Sequence, residues 1–121
     1  MKFETYIVSL RYINRHLSEA ALLGQLAEEA AELAQAALKY QRIHMNENPT
    51  PVNENEAACA FYEELGDVLC CVDALLYPYC KTGHGVARVN AQRKATRWAE
   101  RLFNKLNPKV GEGEEGTNDA N

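Results

Sequence analysis

The sequence predicts an all-α protein, a bundle of about four helices. Three observations point there. Alanine, leucine and glutamate, all strong helix formers, recur throughout the chain. Proline and glycine are few and collect mostly in two places, leaving long stretches without a breaker. Apolar residues return every three or four positions, and no stretch alternates as a half-buried strand would. At 121 residues the chain has room for one compact domain and not two.

The elements follow in order. Tyr6, Ile7, Leu10, Ile13 and Leu17 recur at helical spacing and predict a short first helix ending near His16 to Ser18. Ser18 is a suitable N-cap for the next. The second helix runs from about Glu19 to His44, with Leu22, Leu26, Leu33, Ala36 and Tyr40 on one stripe. Its single Gly24 costs about 1 kcal/mol relative to alanine. Residues 45–55, MNENPTPVNEN, read as a loop. The third helix starts near Glu54 or Glu56, with Ala58, Phe61, Leu65, Val68, Val72 and Leu75 as its core stripe. From Val68 to Leu76 nearly every direction is apolar, so that half is expected to be covered on several sides. Pro78 disturbs its end, and Lys81 to Gly85 read as a turn. The fourth helix is expected from about Val86 to Leu106, with Ala91, Ala95, Trp98, Leu102 and Leu106 lining one side. The helical domain is placed at residues 1–107. Residues 108–121 are placed as a disordered acidic tail, because they have almost nothing to bury.

Composition narrows the function. The net charge of -4 gives no broad basic surface, so nucleic acid is not an expected partner. The opening MKFETYIVSLRYINRH has no long apolar stretch and no small-residue cleavage site, and is not read as a signal peptide. No run approaches the roughly 18 apolar residues of a membrane span, so no membrane is expected either. Cys59, Cys70, Cys71 and Cys80 form no C-x-x-C pair, which argues against structural zinc. Cys70 and Cys71 are helical neighbours whose side chains diverge. All four are read as reduced core residues of a cytoplasmic protein.

The acids stand out against this background. Glu29 occupies a position on the apolar stripe of the second helix, and Glu32 lies about one turn further on, so both can project the same way. Glu28 points more towards solvent. The third helix repeats the device, with Glu64 and Asp67 three apart beside the Phe61–Leu65–Val68 stripe. If the two helices pack antiparallel, four carboxylates converge between them. A like-charged pair about 4 Å apart costs about 4 kcal/mol at an effective dielectric near 20. Either the acids take up protons or a divalent cation binds. An all-oxygen cluster without His or Cys suits Mg²⁺, with Mn²⁺ the alternative. Asp73 lies further along the same helix, open to capping a metal site or to pairing with a base from another helix or subunit.

Glu29-x-x-Glu32 within AEEAAELAQAA, followed by Glu64-x-x-Asp67 within YEELGDVLCCVDALL, resembles the MazG-like all-α nucleoside triphosphate pyrophosphohydrolases. The resemblance covers about residues 19–102. Either motif alone is weakly specific, and together they are far more so. The gap between them is longer than is usual in that family, and loop 45–55 absorbs the excess. The loop's role stays open between covering a nucleotide, joining a subunit interface, and neither.

The resemblance implies hydrolysis of a (deoxy)nucleoside triphosphate between its α- and β-phosphates, giving a monophosphate and pyrophosphate, in nucleotide pool control or house-cleaning. Carried over by position, Glu29, Glu32, Glu64 and Asp67 hold Mg²⁺ and form the catalytic set. One of these glutamates, or Glu28 or Glu63, accepts the proton of the attacking water. A phosphate site also needs cations. Asn90, Lys94, Arg97 and Arg101 form one polar face of the fourth helix; Asn90, Lys94 and Arg97 are the expected substrate-binding residues, with Arg93 an alternative. Tyr6, Tyr12, His16, Phe61, Tyr62 and Trp98 are the aromatics available to stack on a base. The resemblance further implies a homodimer or homotetramer, which the all-round apolar segment 68–76 fits. Two other readings compete: a phosphoribosyl-ATP pyrophosphohydrolase of the same fold, and a non-catalytic helical interaction module.

Overall fold

The computed structural model describes residues 3–45, 49–78 and 82–109. It contains four helices: α1 (Tyr6–His16), α2 (Glu19–Met45), α3 (Glu54–Leu76) and α4 (Thr82–Leu106). Among the described residues there is no strand, and the fold class is all-α as the sequence predicts. The chain divides into two compact units, Met1–Lys81 and Thr82–Asn121. Residues 110–121, most of the expected tail, lie outside the described residues, as does Cys80.

Local chemistry sets the helix starts. The Thr5 hydroxyl accepts the Val8 amide at 3.2 Å and opens α1. The Ser18 hydroxyl accepts the Ala21 amide at 3.1 Å, the capping role expected of it. Asn53 opens α3: its side-chain oxygen accepts the Glu56 amide at 2.9 Å, and its amide donates to the Glu56 carboxylate at 3.2 Å. The reciprocal pair fixes the start of α3 within the range that the sequence allows.

In the first unit α2 packs along α3, and α1 lies against α3. The pairing of α2 with α3 is antiparallel. Leu22 meets Ala74 in one buried cluster, Glu29 meets Glu64 and Asp67, Tyr40 stacks on Phe61 with ring centroids 5.9 Å apart, and His44 pairs with Glu54 at 3.8 Å. As numbers rise along α2 they fall along α3. The core stripes read for α2 and α3 are the ones used. Leu22 is buried, and Leu26, Leu33, Ala36 and Tyr40 are half-buried, as are Ala58, Phe61, Leu65, Val68, Val72 and Leu75. Leu69 stays exposed, so segment 68–76 is covered less completely than expected.

The tightest packing lies where α1 meets the end of α3. Leu10 is fully buried beside Leu22 and Ala74, with Ile13, Cys70, Leu75 and Tyr77 around them. Burying such a leucine stabilises by about 1.5–3 kcal/mol. Polar bonds frame this cluster. The Tyr6 hydroxyl donates to Asp73 at 2.6 Å, Arg11 Nε donates to the Tyr77 hydroxyl at 3.2 Å, and the Asn14 amide donates to the Ala74 carbonyl at 2.8 Å. That carbonyl is one of the last four of α3, which have no partner within their own helix. The Tyr77–Pro78 peptide is cis.

Three expectations need correction. The helix α4 begins at Thr82 and not near Val86. Gly83 and Gly85, read as a turn, take helical backbone instead: their cost falls in a first turn and the helix that follows is long. The stripe of Trp98, Leu102 and Leu106 is exposed, because among the described residues of its own unit a single helix has nothing to bury it against. Cys59 is exposed on the outer side of α3, whereas Cys70 and Cys71 are half-buried; all three are free thiols.

Candidate metal centre

The antiparallel pairing brings Glu29 of α2 opposite Glu64 and Asp67 of α3. One carboxylate oxygen from each lies within 4.8 Å of the others. Glu29 and Glu64 are half-buried and Asp67 is exposed. Each helix supplies its acids through ordinary periodicity: Glu64 and Asp67 are one turn apart, and Glu29 continues the row Leu22–Leu26 into the seam.

Neighbouring groups decide what each acid can do. The Gln25 amide donates to Glu29 Oε1 at 2.8 Å, which orients that carboxylate. Glu29 Oε2 and Glu64 Oε2 are both shut off from solvent without a hydrogen-bond partner. Such atoms are unfavourable unless something positive, or a proton, meets them. Glu64 is held above the usual carboxylate range. Burial is the main cause, followed by repulsion from Glu32 and Asp67, a hydrogen bond with Glu32, and the charge of Glu29. Burial likewise pushes the Cys71 thiol up, with Cys70, Glu29 and Asp67 adding to it.

These residues fit a hard divalent cation. The donors are carboxylate oxygens, Glu29 and Glu64 each carry a solvent-shielded oxygen without a hydrogen-bond partner, and one carboxylate is already oriented by a neighbouring amide. Of the four acids expected from the sequence, three converge. Glu32 is exposed and stands beside the cluster, next to Glu64. There the two acids line an open groove of about 800 Å³ between α2 and α3, together with Gln35, Lys39 and Arg42.

The remaining expected residues belong to other elements or contacts. Asn90, Lys94 and Arg97 lie exposed on α4, in the second unit. Asp73 is not in the acid cluster; it accepts the Tyr6 hydroxyl. Several of the aromatics already have partners: Tyr12 stacks on His16 with centroids 3.9 Å apart, and Phe61 lies between Tyr40 and Tyr62. Sequence reasoning missed Gln25, Lys39 and Arg42. The signal was there, since Gln25 precedes Glu29 by four, and Lys39 and Arg42 continue the helical row from Glu32. The chain matches no family model, no curated protein and no solved structure.

Proposed function

We propose that this chain is a Mg²⁺-dependent nucleoside triphosphate pyrophosphohydrolase of the cytoplasm. The observation that carries the reading is the convergence of Glu29, Glu64 and Asp67, from two helices, with two oxygens that have no partner. The resemblance of AEEAAELAQAA and YEELGDVLCCVDALL to the MazG-like enzymes supports the same reaction. Glu29, Glu64 and Asp67 are the residues that would hold the cation. Bound there, Mg²⁺ would neutralise triphosphate charge and polarise the attacking water. Gln25 keeps Glu29 turned into the cluster. Glu32, exposed beside Glu64, would accept the proton of the water that attacks the α-phosphorus in this reading. The bond between the α- and β-phosphates breaks, and monophosphate and pyrophosphate leave.

The chain works, in the same reading, as a homodimer or homotetramer. Leu38 and Leu69 of the first unit and Trp98, Leu102 and Phe103 of the second are large apolar side chains left exposed.

The test is a product assay. The protein is incubated with Mg²⁺ and each common ribo- and deoxyribonucleoside triphosphate, and the products are separated. Monophosphate with pyrophosphate, lost on chelation and in Asp67→Asn, is the expected result. Diphosphate with orthophosphate would assign a different phosphatase chemistry. No turnover of any nucleotide would refute the activity.

A further inference from the structure

The groove beside the acid cluster carries its own charge pattern. Glu32, Gln35, Lys39 and Arg42 line it from α2, and Ala57, Ala60 and Glu64 from α3. Glu64 belongs to both features, so the groove opens directly from the acids. Steps of three, four and three keep the α2 residues on one flank of that helix. Lys39 starts about 10 Å beyond Glu32 along the axis, and Arg42 about 15 Å. Helical side chains lean towards the N-terminus of their helix, which here means back towards Glu32. Among the described residues neither Lys39 nor Arg42 forms an ion pair.

A strip that is acidic at one end and cationic at the other, with small alanines along one wall, matches a ligand that is itself a chain of anions. We infer that this groove seats the polyphosphate of the substrate, with Lys39 and Arg42 binding the phosphates that extend away from the acid cluster. The inference rests on the pyrophosphohydrolase reading and adds to it. It moves the phosphate-binding cations from α4, where the sequence places them, to α2. Arg42 can take two phosphate oxygens at once, whereas Lys39 acts as a point charge.

Inorganic tripolyphosphate with Mg²⁺ is the probe, titrated calorimetrically into the full-length protein and into Lys39→Met and Arg42→Met. Both residues are exposed, so both variants should fold and keep the rise in melting temperature that Mg²⁺ alone produces. Each is expected to bind tripolyphosphate about tenfold more weakly or worse. Unchanged binding in both variants overturns the inference, as does a loss confined to Lys94→Gln with Arg97→Gln. The two claims also fail separately. A protein that binds tripolyphosphate through Lys39 and Arg42 but turns over no nucleotide refutes the activity and keeps the groove. Turnover with an unchanged KM in Lys39→Met and Arg42→Met refutes the groove and keeps the activity.

Discussion

Gln25 holds one oxygen of Glu29, and the other is shut off from solvent without a hydrogen-bond partner. Residues that orient a metal ligand typically change affinity by about 10–100-fold when removed. Gln25→Leu should therefore weaken Mn²⁺ binding by about that factor while the helical circular dichroism is unchanged; equal affinity would show that Glu29 needs no support. Glu64 makes a second claim at this scale. Its pKa is raised above the reference value of 4.5 in the folded state, so between that value and its folded pKa the native protein binds more protons than the unfolded chain. Metal-free stability should fall as pH rises through this window, and divalent-cation affinity should rise through it. Denaturant titrations with and without Mg²⁺ would show the opposite slopes. Without metal, Glu64→Gln should be at least as stable as the wild type and lose the pH dependence.

How much of the site the sequence discloses depends on the kind of fact. The spacing of Glu29, Glu32, Glu64 and Asp67 states which acids share a flank, because helical periodicity is local. It does not separate Glu32 from Glu29. Both face the seam, and the angle at which α3 crosses decides which one meets Asp67. Likewise Gln25 was readable only as a neighbour of Glu29, not as its partner.

At the scale of elements, α1 depends on a small contact. Leu10→Ala removes the only fully buried large side chain of the helix and should cost about 2–5 kcal/mol in urea denaturation. Tyr6→Phe removes the hydroxyl donor of Asp73, an exposed hydrogen bond, and should cost about 0.5–1.5 kcal/mol. Neither change touches the acids, so the Mg²⁺ affinity of the folded protein should be preserved in both. Helix starts were legible where a cap was present, as at Ser18. They were misread at Thr82, where two glycines outweighed the long helix behind them.

For the whole molecule, the all-α class was legible from composition and period, since these are summed over many residues. The fate of the α4 stripe was not, because a stripe marks a face to be covered and does not name the cover. If a second copy covers it, light scattering should give a mass of two or four chains, and Trp98→Glu should shift that mass towards the monomer. A wild-type monomer at micromolar concentration would remove the assembly from the proposal.

The placement of bonds along α3 has a further consequence. Its middle turns, around Glu64 and Asp67, carry the acids, and its last turn with the capping residue Tyr77 carries the anchor for α1. If the proposed function holds, one helix carries chemistry and scaffolding in consecutive segments. Sequence drift in the two segments answers to different pressures. The anchor can be rebuilt with other pairs that keep α1 in place, whereas the acids have no equivalent substitute. Across descendants of this chain, α3 should age unevenly, with its centre fixed and its end free to vary in step with α1.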